Sequence, residues 1–236
     1  MTSVLNDLFD YGLKIYQDNE KFKFSLDSIL LAEFVDIKPS ISNIVDFCTG
    51  NAPVPMILST KTDAKIYGFE IQDSIYKLAK CSVMENCLDN QISIYNASIS
   101  EVLEYLLPES MDVVTCNPPY FKYDKSSLVN MDQEKAIARH EITTSLEDII
   151  VKSKYVLKNK GKLYMVHRCD RLEEIMECLR KYNFAVKKMQ FIYAGNNRDA
   201  IMVLIKATKN GNVGSLKIAP GIDVLKYKSY KNIFER

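Results

Sequence analysis

Four consecutive residues, Asn117-Pro118-Pro119-Tyr120, close the apolar run Met111-Asp112-Val113-Val114-Thr115-Cys116. Each suits one part of a single task, methylating the exocyclic amine of a planar ring. Such an amine is a weak nucleophile because its lone pair is delocalised into the ring. Two acceptors, one on each N–H, would hold the nitrogen and favour the pyramidal form in which the lone pair is free. The Asn117 amide oxygen offers one acceptor. The Pro118 carbonyl offers the other, with Pro119 fixing the local backbone direction. Tyr120 presents an aromatic face on which a flipped base can stack. The bland alternative is an ordinary strand-ending turn, since Pro-Pro pairs are common in loops.

These residues need a scaffold, and the hydrophobic pattern supplies one. The run before Asn117 is short and β-branched, which predicts a buried strand. Further strands are predicted at Asn43–Phe47, Lys65–Glu70, Gln91–Tyr95, Gly161–His167, Ala185–Tyr193 and Ala200–Ala207. Helices are predicted at Leu26–Phe34, behind Ser25 as N-cap, and at Pro53–Ser59, Ser74–Cys87, Ser100–Leu106, Leu146–Leu157 and Arg171–Tyr182. In the last, Leu172, Ile175, Met176 and Leu179 form a core stripe. The alternation implies a doubly wound α/β sheet, with the final two strands as an antiparallel pair at one edge. Residues 1–20 carry no firm pattern, and the long loop of about 121–144 directly follows the tetrad.

Asn-Pro-Pro-Tyr after a strand resembles the catalytic motif of the amino-methyltransferases that use S-adenosyl-L-methionine (AdoMet). More closely, the chain resembles the tRNA adenine-N6 methyltransferases that modify valine tRNA at the adenine 3′ to the anticodon. The closer likeness rests on Phe22-Lys23-Phe24-Ser25-Leu26-Asp27, Asp46-Phe47-Cys48-Thr49-Gly50-Asn51, Asn117 to Tyr120 and Ala138-Arg139-His140-Glu141. Leu163-Tyr164-Met165-Val166-His167-Arg168 and Lys217 to Pro220 fit as well, so the match covers nearly the whole chain. The resemblance implies a seven-stranded, mostly parallel sheet of the Rossmann-like methyltransferase type with an antiparallel edge strand. It also implies AdoMet as cofactor and in-line methyl transfer to N6 of an adenine in a tRNA anticodon stem-loop, with no metal.

In a doubly wound sheet, ligands bind beyond the carboxyl ends of the strands at the topological switch. The first sheet strand ends in Asp46-Phe47-Cys48-Thr49-Gly50-Asn51-Ala52-Pro53, a turn that lets backbone N–H groups approach the methionine end of the cofactor. Cys48 and Ala52 stand where the family often has glycines, and Gly50 alone remains. Glu70, followed by Ile71, ends the next strand, where a carboxylate accepts from both ribose hydroxyls. Ser98 and Ile99 follow the third strand, with Ser98 where relatives often carry an acid for the cofactor adenine.

The net charge of +1 hides a division. Residues 1–151 hold 12 basic against 23 acidic side chains, and residues 152–236 hold 19 against 7. A basic carboxyl-terminal part suits a polyanion, although solvated helix faces would give the same count. Lys187, Lys188, Lys226 and Lys228 are the candidate phosphate contacts there. Phe121, Lys122, Lys125, Arg139 and His140 are candidates beside the tetrad. His140 as general base is a weaker reading, because the methylated amine can lose its proton to water. Asp27 either closes over the cofactor or serves its helix dipole.

The 236 residues suffice for one core, read as an extension over 1–40, a methyltransferase domain over 41–210 and a basic tail over 211–236 of the same domain. No run is long and apolar enough to span a bilayer, and the first residues lack a secretory signal. Six cysteines without a Cys-x-x-Cys pair read as free buried thiols in a reducing cytoplasm. Two rival functions stand beside the RNA reading: a protein glutamine N5-methyltransferase, and a non-catalytic RNA-binding module with a decayed cofactor pocket. The oligomeric state is left open.

Overall fold

The computed structural model describes residues 3–18, 26–118, 144–195 and 198–226. Strands β1 (Ser3–Asp7) and β2 (Lys14–Asp18) form an antiparallel hairpin of their own. The main sheet is built from β3 (Asn43–Phe47), β4 (Lys65–Glu70), β5 (Ile92–Asn96), β6 (Met111–Cys116), β7 (Leu157–Arg168), β8 (Phe184–Tyr193), β9 (Ala200–Lys209) and β10 (Lys217–Asp223). Their order is β10-β8-β9-β7-β6-β3-β4-β5. Only β9 runs against its neighbours β7 and β8; every other pairing is parallel.

Alternating side chains divide the core into two layers, as a sheet covered on both faces requires. Ile44, Ile66, Val113, Val166 and Leu204 pack with buried residues of α1 (Leu26–Phe34), α2 (Pro53–Ser59) and α3 (Asp73–Glu85). Val45, Phe47, Val114, Leu163, Met165 and Val203 face α4 (Val102–Tyr105), α5 (Leu146–Val156) and α6 (Leu172–Lys181). In α6, Ile175 and Leu179 are buried and Leu172 and Met176 pack partly against them, as the stripe predicts. A helix without such a stripe would have little to hold it, since burying one large aliphatic side chain contributes roughly 1.5–3 kcal/mol.

The hairpin is tied down by side chains as well as by its own ladder. Leu8 and Ile15 are fully buried. At the C-cap of α3, the Asn86 amide donates to the Lys14 carbonyl at 2.7 Å and accepts from the Lys14 N–H at 2.8 Å. The Tyr16 N–H donates to Ser82 Oγ at 2.9 Å, while the Tyr16 carbonyl accepts from Asn51 Nδ2 at 3.0 Å. That last bond joins the hairpin to the turn after β3.

Three features differ from the sequence reading. The sheet has eight strands rather than seven, and the antiparallel pair β8/β9 lies inside the edge formed by β10. Strand β10 escaped notice because its side chains are mostly exposed and Pro220-Gly221 breaks its alternation. It still pairs with β8 through a register shift between Ala219 and Ile222. Gly221 permits this close approach, as a Cβ there would lie 2.5 Å from Tyr193 Cε2. The cysteines are all free, but only Cys116 is buried, and Cys81 and Cys87 are exposed. Among the described residues, no helix is long and apolar enough to cross a membrane.

Candidate active site

The strand order reverses at β3, which has β4 on one side and β6 on the other. The turn leaving β3 has φ of 57° at Cys48, 59° at Gly50 and 70° at Ala52. Two non-glycine residues therefore adopt the left-handed conformation that glycine favours, at a cost on the order of 1–3 kcal/mol each. The turn is held by the Thr49 N–H on the Phe69 carbonyl at 2.9 Å and the Ala52 N–H on the Thr49 carbonyl at 3.0 Å.

Gly68 on β4 makes room for this turn. A Cβ there would meet Thr49 Cγ2 and Oγ1 at 3.0 Å and Ile94 Cδ1 at 2.7 Å. Gly68→Ala should therefore push Thr49 outward, with an overpacking cost of about 1–3 kcal/mol. The expected result is a melting temperature lower by roughly 2–10 °C, with weakened AdoMet binding. Calorimetry of both properties tests it; unchanged values would mean that the turn yields freely.

Asp46 lies under the turn at 2% exposure. Its two oxygens accept from Thr49 Oγ1 at 2.7 Å and from Thr115 Oγ1 at 2.6 Å. Burial pushes its carboxyl up to about 7; the two threonine bonds oppose that rise, and nearby Glu70 adds to it. A raised carboxyl stabilises the fold below its unfolded value near 3.8 and loses that contribution as pH rises through 7. His167 acts in the opposite sense: burial and Arg171 hold its imidazole down to about 4. Comparing Asp46→Asn with the parent isolates the carboxyl. The stability of Asp46→Asn relative to the parent should increase with pH between about 4 and 7. A pH-independent difference in melting temperature would show that Asp46 is ionised throughout.

Glu70, 6% exposed, closes β4. Its Oε2 accepts from the Gly50 N–H at 3.0 Å and its Oε1 from the Gln72 N–H at 2.9 Å. Burial raises its pKa against these donors. A carboxylate has about four lone-pair sites, so two such bonds orient it and leave capacity for a diol. Ile71 beyond it is 41% exposed, and Ile99 is buried. Asn96 Nδ2 donates to the carbonyls of Glu70 and Ile71 at 2.9 and 3.2 Å, joining the two strand ends. Ser98 is an N-cap: its hydroxyl accepts from the Ser100 N–H at 3.2 Å, and its own N–H donates to Glu101 at 2.8 Å. Its side chain thus serves the turn that carries Ile99.

Asn117 follows β6, and its Nδ2 donates to Ser28 Oγ of α1 at 2.9 Å. Ser28 is 6% exposed and was not singled out from the sequence. The available signal was a hydroxyl among the apolar residues of α1, one position after Asp27. Thr115 was missed likewise; it is a hydroxyl inside a buried strand facing Asp46. Pro118 is buried. Pro119, Tyr120, Phe121, Lys122, Lys125, Arg139, His140 and Lys228 lie outside the described residues, as do Phe22 to Ser25. Lys187 and Lys188 lie within β8, and Lys226 is exposed beyond β10, 3.7 Å from Asp223.

A tight left-handed turn at the switch point, an oriented buried carboxylate on the adjacent strand and a polar amide on the other side form a cradle that fits AdoMet. The fold and this cradle define an AdoMet-dependent methyltransferase. Residues 23–193 match the family model described as the methyltransferase small domain, and the chain belongs to that family. It is 27% identical over 176 residues to a tRNA1(Val) (adenine(37)-N6)-methyltransferase of Porphyromonas gingivalis, covering 72% of this chain and 68% of that one. The protein of that name from Parabacteroides distasonis is 25% identical over 169 residues, covering 71% and 68%. Among solved structures, an Agrobacterium tumefaciens protein described as a predicted O-methyltransferase superposes with a TM-score of 0.65 at 19% identity, over 84% of this chain and 86% of that one. The aTrm5 chain solved with tRNALeu gives 0.62 at 16% identity, over 89% and 53%. The two structures share the fold.

Proposed function

We propose that this protein transfers a methyl group from AdoMet to the N6 amine of an adenine in tRNA, at position 37 beside the anticodon of valine tRNA, the site printed in its relatives' names. The observation that carries the reading is the Asn117 amide, held by Ser28 where β6 ends beside the cradle. With its nitrogen donating to Ser28, the amide has its oxygen as the acceptor on its other branch. That oxygen and the Pro118 carbonyl would each accept one N6 proton and favour the pyramidal amine. Tyr120 would stack on the base, and Phe121, Lys122, Arg139 and His140 would contact the anticodon loop. The amine sheds its surplus proton to water, so no base is required.

When bound, AdoMet supplies a methyl group on a sulfonium. Glu70 would hold the ribose, the turn from Asp46 through Cys48, Thr49 and Gly50 to Asn51 the methionine end, and Ile71, Ser98 and Ile99 the adenine end. Lys187, Lys188, Lys226 and Lys228 would meet phosphates. Residues 1–40 and 211–236 belong with the central unit in this reading, and the protein works in the cytoplasm. Cys48 and Ala52 keep the left-handed turn without glycine, which favours an intact pocket over a decayed one. The basic carboxyl-terminal part favours RNA over a protein glutamine.

The test is nucleoside mass spectrometry of valine tRNA from a deletion strain, with add-back of purified protein and AdoMet. Loss of N6-methyladenosine at that position and its restoration in vitro are expected. A deletion strain with an unchanged level would overturn the assignment.

A further inference from the structure

Lysines stand side by side across three strands of the sheet. Lys206 of β9 is in register with Lys188 of β8, and Lys188 with Lys217 of β10. Like charges directly opposite one another across strands are destabilising, and sheets ordinarily avoid them. A single carboxylate answers the first two: Asp36, just beyond α1, lies 2.7 Å from Lys206 Nζ and 3.5 Å from Lys188 Nζ. Their ammonium groups ride over aromatic rings, Lys188 4.7 Å from the Phe34 centroid and Lys206 5.5 Å from that of Tyr164. Such rings fix the heads in place on the α1 side of the sheet. Lys217 is exposed, and its register places it on the same side. Nearby Lys162 is held below its usual pKa, by burial first and then by Lys206, Lys38, Lys160 and Lys187. The positive field is therefore wider than the ladder itself.

We propose that Lys206, Lys188 and Lys217 form a phosphate ladder that tracks the RNA backbone leading to the target base. Strands are spaced about 4.8 Å apart, so three ammonium groups stand along roughly 10 Å perpendicular to the strands, in net excess over the one Asp36 carboxylate that pairs with Lys206 and Lys188. Its partner is a polyanion with regularly repeated charge, held without sequence preference as lysines hold phosphates. Helix α1 sets the distance to the catalytic end. Ser28 near its start touches Asn117, and Asp36 past its end touches the ladder. At 1.5 Å per residue that separation is about 10–12 Å, within reach of the nucleotides flanking a base placed at Asn117. The inference rests on the tRNA reading above and assigns that substrate its surface.

The experiment measures affinity for unmodified tRNA against salt by filter binding, for the parent, Lys188→Gln with Lys217→Gln, and Lys77→Gln with Lys80→Gln on distant α3. The ladder variant should bind about tenfold more weakly, and the magnitude of its log–log salt slope should fall by roughly 1.4 for two lost single-strand phosphate contacts. Its melting temperature should stay within a few degrees of the parent's, because relieved repulsion offsets the lost Asp36 and Phe34 contacts of Lys188, and its AdoMet affinity should be unchanged. The α3 variant should follow the parent. Parallel slopes and equal affinities for all three overturn the ladder while leaving the tRNA reading intact. An equal loss in the α3 variant overturns it too, by showing an effect of net charge alone. So would retained tRNA affinity with lost binding to phosphatidylserine vesicles. A parent that fails to bind tRNA at all removes the underlying reading and the ladder with it.

Discussion

Asn117→Ala should lower the single-turnover rate of tRNA methylation about 10²–10³-fold, the scale of losing one preorganised polar group at a reacting atom. AdoMet affinity should stay within a few-fold, because the side chain is assigned to the amine. The structure adds a second arm. Ser28 Oγ accepts from Asn117 Nδ2, a bond that holds the amide in place with its oxygen on the other branch. Ser28→Ala removes one hydrogen bond, of order 0.5–1.5 kcal/mol, and lets the amide turn. A rate loss of up to about tenfold is expected there, again with little change in AdoMet affinity. Single-turnover assays at saturating AdoMet read both. An Asn117→Ala enzyme with the parent rate would remove the acceptor role, and a Ser28→Ala loss as large as that of Asn117→Ala would mean that Ser28 itself meets the substrate.

The sheet was legible because its strands are short apolar runs bounded by polar turns. The bounds of β3, β4, β6, α1 and α2 agree with the periodicity to the residue. Strand β10 was not legible, since an exposed edge strand with Pro and Gly carries no hydrophobic signature. The hairpin was hidden for a related reason: Ser82 on α3 and Asn86 at its C-cap hold it by hydrogen bonds that no periodicity encodes. In the site, Glu70 and Asn117 could be placed from strand ends alone. The pairs that orient them could not, because Asn117 with Ser28 and Asp46 with Thr115 are separated by 89 and 69 residues. Ser98 illustrates the converse. A hydroxyl that reads as a ligand contact also serves locally as a cap, a use open to any serine before a turn. Of the lysine ladder, Lys188 alone was singled out from the sequence; strand register placed Lys206 and Lys217 beside it.

Glu70→Ala should act on the cofactor rather than on the amine. Two ribose hydroxyls donating to a carboxylate make charge-assisted hydrogen bonds worth roughly 1.5–3 kcal/mol each, and even half that total weakens AdoMet binding about tenfold or more. The same carboxylate accepts from the Gly50 and Gln72 N–H groups, so its removal also frees the turn that forms the cradle. Glu70→Gln separates the two effects. The amide keeps the shape but has one acceptor oxygen, so it should bind AdoMet better than Glu70→Ala and worse than the parent. The pH dependence has a definite sign. Burial raises the Glu70 pKa above 4.5. Because the ionised form accepts from the ribose, AdoMet affinity of the parent should fall as pH drops through that raised value, beginning at higher pH than an ordinary glutamate would allow. Bound ribose hydroxyls favour the ionised form, so binding should release protons in that window, and calorimetry in buffers of different ionisation enthalpy reads this directly. Glu70→Gln should show no such proton release from this position. Parent and Glu70→Gln proteins with the same AdoMet affinity at every pH would place the ribose elsewhere and leave Glu70 as a brace for the turn.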